Sequence, residues 1–367
     1  MPIGSFSSVI FGQTEIVPDI TAVSGTIVYS WDRTISVTVD TALSTDYVDV
    51  TYYNGATLVG TNTNVSIGAG TFIVTPPTAV RNLTAGTVVT IKVKNKPSGT
   101  ESISSQTRTI QALPSGGTIT TTGSYRVHDF TSSGSFVTPV QLDNVEYLIV
   151  GGGGGGGGST GNTSGGGGGG GFRTSVPGAT SGANSSAESR ITVSSGTHSV
   201  TVAATASSAT QGNNSTFQSI TSLGGGRGTV GFHVTGVSGG CGSGSGAGNN
   251  SGSPGLGTAG QGQRGGNGRW VMNDYSYHGG GGGASVAGNS SNAGGAGLYS
   301  SITGSSIGFS GGGGGQNELT SNGAGATTFG GGNAGSAGAT SRGGGGGGGY
   351  GGGSGGSGRV IIRYINA

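Results

Sequence analysis

Residues Val145-Glu146-Tyr147-Leu148-Ile149-Val150 run straight into an unbroken stretch of glycine, 151–158, and the chain closes on Arg359-Val360-Ile361-Ile362-Arg363-Tyr364. Both apolar stretches are rich in the β-branched and aromatic residues that strands favour. Between them lie further glycine runs at 165–171, 279–283, 311–315 and 343–349. Glycine loses the most conformational entropy on ordering and offers no side chain to bury, which argues for a disordered tail. Such a tail does not need a β-branched strand at its far end. Nor does it need the strand-like stretches Ala187–Val193, His198–Val202 and Thr216–Ile220. The reading is therefore order, with each run in polyproline-II geometry at ~3.1 Å per residue, so that the first run spans about 25 Å. Helices of this kind have no internal hydrogen bonds. Their N–H and C=O groups must pair side by side, and only glycine lets backbones approach closely enough. The strands Tyr147–Val150 and Val360–Tyr364 both border runs and are expected to share a sheet.

Working outward, the composition divides the chain. Nine of the 89 glycines lie in residues 1–112 and 80 lie beyond. Residues 18–112 carry period-two alternation at Ile35, Val37 and Val39, at Val48, Val50 and Tyr52, and at Val89, Ile91 and Val93. That period marks half-buried strands. Asn54-Gly55 is a two-residue hairpin signal, and Pro76-Pro77 and Lys96-Pro97-Ser98-Gly99 mark further turns. About seven strands without helical periodicity point to an immunoglobulin- or fibronectin-III-like sandwich. Trp31 is read as core. The alternating Lys92, Lys94 and Lys96 are read as the solvated face of an edge strand. The expected organisation is an N-terminal docking segment (1–17), the sandwich (18–112), a linker (113–117) and an all-β, glycine-rich module with packed polyglycine-II-type segments (118–367).

Several function classes are disfavoured. Net charge is +2 from 15 basic and 13 acidic residues, too little for phosphate-backbone binding. Arg227, Arg264 and Arg342 beside glycines are isolated cations with few interleaved aromatics, so no nucleic-acid partner is expected. Cys241 is the only cysteine, and the four histidines show no metal-ligand spacing, so neither a metal nor another cofactor is expected. Gly-x-Gly-x-x-Gly matches abound by chance, and Gly352-Gly353-Ser354-Gly355-Gly356 lacks the strand–turn–helix setting of a nucleophile elbow. No enzyme is expected. Asp143 and Glu146 are read as solvated. The first residues lack the basic start and apolar core of a signal peptide, and no apolar run reaches the length of a membrane span, so neither ordinary export nor membrane insertion is expected.

Bulky and polar side chains interrupt the glycine region at Arg269-Trp270-Val271-Met272-Asn273-Asp274-Tyr275-Ser276-Tyr277-His278. Aromatic faces stack on sugar rings, and Asn, Asp and Arg bond hydroxyls, so Arg269, Trp270, Asn273, Asp274, Tyr275, Tyr277 and His278 are the candidate receptor-binding residues. The competing reading is that Trp270 and Met272 anchor the loop. The shorter interruptions at Phe232-His233-Val234, Leu298-Tyr299, Phe309, Gln316-Asn317-Glu318-Leu319 and Phe329 are read as plugs or loop anchors.

Gly116-Gly117-Thr118-Ile119-Thr120, Tyr125 to Phe136, Val145 to Gly151 and Gly358 to Tyr364, in that order, resemble the framework of glycine-rich domains in tail-fibre and other appendage proteins of tailed bacteriophages. The similarity covers roughly residues 116–367. It implies a virion-surface protein assembled in the host cytoplasm, docked to other virion proteins through its N-terminal region. It also implies attachment to a host-surface receptor, a glycan or an outer-membrane protein, and leaves room for a homo-oligomer such as a trimer. The alternative is a capsid-decorating, baseplate or fibre component that binds no receptor directly.

Overall fold

A computed structural model describes residues 19–28, 33–40, 47–67, 70–95, 99–159, 163–248, 252–270, 276–317 and 323–366. The segment 1–17, Trp31, Lys96 and residues 271–275 lie outside the described residues. Strands dominate, and among the described residues helix is confined to one turn at Thr78–Arg81 and the short turns Gly182–Asn184 and Thr327–Phe329. Contacts divide the chain into two compact units that meet between Leu113 and Pro114.

The first unit holds β1 (Ile20–Ser24), β2 (Ile35–Val39), β3 (Tyr47–Asn54), β4 (Thr57–Ser66), β5 (Thr71–Val74), β6 (Val88–Asn95) and β7 (Gln106–Thr109). They form antiparallel sheets in the orders β1-β2-β5 and β4-β3-β6-β7. The period-two residues of β2, β3 and β6 close one core between the sheets. Tyr52 enters that core with its hydroxyl donating to Asn62 Oδ1 at 2.8 Å. Two readings change. The hairpin forms one residue later than expected, because Asn54 pairs with Thr57 and Gly55 takes the positive φ (59°) of a Gly55-Ala56 turn. Lys92 and Lys94 lie on β6, an inner strand between β3 and β7, and Lys92 pairs with Glu101 at 3.6 Å.

The second unit is built on β8 (Thr118–Thr122), β9 (Tyr125–Phe130), β10 (Gly134–Thr138), β11 (Leu142–Val150), β12 (Phe172–Thr174), β13 (Ile191–Val193), β14 (Gly196–Thr201), β15 (Ser215–Phe217), β16 (Ile220–Ser222), β17 (Leu298–Ser300), β18 (Ile307–Phe309) and β19 (Arg359–Ile365). The opening and closing strands pair as expected: β11 and β19 are antiparallel neighbours, with Tyr147 opposite Ile362 and Val150 opposite Arg359. The other side of β19 pairs with β9, giving the order β12-β11-β19-β9-β8. A second sheet, β10-β14-β15-β16, packs through Phe136, whose ring meets His128 and Phe217 edge-on. Thr216–Ile220 is not one strand; it crosses a tight turn at Gln218, which takes φ 55° without being glycine.

Charge is buried in this sheet. Glu146 is not solvated as its position before an apolar run suggested. It is 1% exposed and accepts from Arg363 Nε at 2.6 Å, its register partner on β19. Arg359 forks onto both carboxylate oxygens of Asp129, a partly buried pair that is not a register pair. Asp143 is exposed and accepts from Thr192.

The glycine runs extend from this base as an ordered bundle. In run 165–171 the backbone donors step round with a period of three. Gly165, Gly168 and Gly171 donate to Thr229, Gly226 and Leu223, Gly166 and Gly169 to Gly279 and Gly282, and Gly167 and Gly170 to Gly346 and Gly343. Its carbonyls accept from three further segments, at Gly154, Gly244 and Gly313. Three directions per three residues is the polyproline-II period, now satisfied by neighbours instead of water. Close approach, not positive φ, is what demands glycine here. A Cβ on Gly153 would stand 1.9 Å from the carbonyl oxygen of Gly344, and one on Gly281 1.9 Å from that of Gly167.

Candidate functional site

Run 151–158 leaves β11 and so carries its far end away from the sheet, and the next run returns. The connections at that far end gather. Ser164 bridges Val230, and Gly231 N–H donates to Thr163 at 2.7 Å. His233 N–H donates to Ala247 at 2.8 Å, and Gln316 N–H to Ser164 at 2.9 Å. The loop starting at Arg269 has a β-bridge for a neck: Arg269 and Tyr277 exchange both backbone bonds, and Tyr277 bridges Asn317. Residues remote in sequence thus share one surface because the runs beneath them are hydrogen-bonded neighbours.

The candidate receptor residues fall into three groups. Arg269 and Trp270 are exposed at the neck, Trp270 by 43%, and Tyr277 is half-buried. Asn273, Asp274 and Tyr275 lie outside the described residues. His278 is not at the surface: its ring is fully buried below the neck, with its backbone N–H on Gln316.

The structure adds a residue that sequence reading had treated as an anchor. Phe232 is 37% exposed and sits edge-on to Trp270, with centroids 6.5 Å apart. Its ring is also 5.4 Å from that of His278. Val230 and Val234 are exposed beside it in sequence. Phe232 is framed by two residues of positive φ, Gly231 (94°) and His233 (59°). No sequence signal joins Phe232 to Trp270; only the pairing of the runs does. Among the described residues no group of three or more His, Cys, Asp or Glu could hold a metal ion.

Burial pushes the His278 imidazole down to about 4, and burial chiefly does the same to His128, with Arg126 adding to it. His128 bonds the Gly116 carbonyl through Nδ1 at 2.8 Å, so it donates there and accepts from the Tyr364 hydroxyl at Nε2, 2.9 Å away. Both rings are therefore neutral in the folded chain. As pH falls from about 6.5 towards 4 the unfolded chain binds protons that the folded chain refuses. The stability is whole above pH 6.5 and is lost on acidification, by on the order of 3 kcal/mol for each ring. Melting temperature followed from pH 7 to 4 should fall steadily; a flat profile would contradict the burial of these rings.

With this geometry in place the relationship is clear. A protein-family model described as a glycine-rich domain matches residues 131–365. The chain belongs to this glycine-rich domain family. No curated protein matches it. In this chain the glycine-rich domain match opens directly after β9 and closes on the last residue of β19, taking in every glycine run and the whole loop end. Structurally the unit starts earlier, at Pro114, because β9 pairs with β19 from Tyr125 to Phe130.

Proposed function

We propose that this chain is a virion-surface protein of a tailed bacteriophage, a tail-fibre or other appendage component that binds a host-surface glycan through its loop end and performs no catalysis. The observation that carries this reading is the exposed aromatic pair Phe232–Trp270 on loops held by a hydrogen-bonded glycine bundle. Flat apolar rings offer stacking area for sugars at low entropic cost, and a rigid platform limits the ordering that binding must offset. The N-terminal unit, read as an immunoglobulin-like domain, is the docking end on this account, with residues 1–17 reaching virion partners.

The test is capture of the full chain on an array of bacterial O-chains and capsular polysaccharides. Trp270→Ala and Tyr277→Ala should each weaken capture by about tenfold, equivalent to about 1.4 kcal/mol. The melting temperature of Trp270→Ala should barely move, because the ring is 43% exposed. A lowered melting temperature with normal capture by the remaining folded protein would make these residues loop anchors. No capture of any glycan by the wild type would favour a purely structural virion component.

A further inference from the structure

Beneath the aromatic pair lies a polar group that the fold leaves unanswered. His278 is buried to 0% exposure, and its Nδ1 accepts a backbone bond from Ala247 N–H at 3.3 Å. An imidazole nitrogen that accepts cannot carry the proton, so in the neutral ring the proton is on Nε2. Nε2–H is buried and, among the described residues, has no hydrogen-bond partner. A buried unpaired donor costs stability, and native structures rarely keep one without a use. Ser164 Oγ is a second buried polar atom with no partner among the described residues. The two residues are linked through Gln316, whose N–H donates to the Ser164 carbonyl and whose carbonyl accepts from His278 N–H. Phe232, half-exposed, packs its ring 5.4 Å from the imidazole.

Resting on the glycan-binding reading above, we infer that His278 Nε2–H is the polar anchor of the loop-end site, donating to an uncharged oxygen of the bound sugar once the Phe232 ring turns aside. The ligand chemistry follows from the donor. A neutral N–H asks for a hydroxyl, ring oxygen or amide carbonyl, whereas an anionic group would gain more from a cation. Phe232 is partly solvated at 37% exposure, so the proposed movement turns its ring further towards solvent. In this arrangement the aromatic pair contributes contact area and His278 contributes selection. A ligand that presents no acceptor gains nothing from this donor and is held less tightly than one that pairs it.

Two substitutions separate this role from mere packing. His278→Asn keeps an acceptor within reach of Ala247 N–H but removes the donor at the Nε2 position. His278→Gln places an amide N–H close to that position. On the polysaccharide array, His278→Asn should lose tenfold or more in capture of whichever glycan the wild type retains, while His278→Gln should keep most of it. In the ¹⁵N-labelled full chain, the Nε2–H proton resonance should shift on addition of that glycan. Equal capture by wild type and a folded His278→Asn would overturn the anchor role and leave the glycan-binding reading standing. So would an Nε2–H resonance that stays on a resident water and ignores the glycan. Absence of capture by the wild type would remove the glycan-binding reading itself, and this inference with it.

Discussion

Gly167→Ala should destabilise the glycine-rich unit by more than about 4 kcal/mol, the range reserved for substitutions that break packing outright. The added Cβ would meet the Gly154 carbonyl oxygen at 2.2 Å and that of Gly155 at 2.9 Å. Both are backbone atoms and cannot swing away as a side chain does. Moving the run sideways would not help, because Gly167 donates to Gly346 and accepts from Gly313, so displacement towards either side breaks paired groups. Gly178 is the comparison. It lies in a turn with φ 75° and nothing within 4 Å of an added Cβ. Gly178→Ala should cost only the left-handed strain, about 1–2 kcal/mol. Urea unfolding of both variants decides the matter: equal costs would mean that the bundle is far looser than its hydrogen bonds imply.

Arg363→Ala should cost about 3–5 kcal/mol, because it strands a buried carboxylate. The Glu146 side chain is 2% exposed and Arg363 supplies its charge partner. The guanidinium also donates to the Ile302 carbonyl at 3.2 Å and covers the Tyr125 ring at 4.4 Å, so packing is lost as well. Replacing both partners, as Glu146→Leu with Arg363→Met, should recover most of the loss, since a buried pair exchanged for apolar groups is often neutral. Chemical denaturation of the two single variants and the double variant measures the coupling. A single variant within 1 kcal/mol of wild type would show that the pair is solvated after all.

What could be read from the sequence depended on how local the cause was. The pairing of β11 with β19 was legible because two β-rich strands border the runs that must return to one place. The alternation in β2, β3 and β6 was legible because a period of two survives without any partner in view. Glu146 was not, since its burial depends on a register with Arg363, 217 residues along the chain. The turn at Gln218 gave no warning, because a residue other than glycine adopts φ 55° there. At the loop end, the bulky stretch from Arg269 stood out against glycine, yet the position of His278 below the surface and the meeting of Phe232 with Trp270 come only from the lateral pairing of distant runs.

Amide hydrogen exchange across 151–157, 165–171 and 344–349 tests the ordered bundle most directly, because the whole account of the loop end stands on it. Each of these segments donates backbone bonds to neighbouring segments, and the run glycines are buried. Exchange should therefore be slow throughout the runs, approaching the protection of β11 and β19, with faster exchange in the loops between them. Glycine amides that exchange at free-peptide rates while β11 and β19 stay protected would contradict the bundle and leave the loop end without its platform.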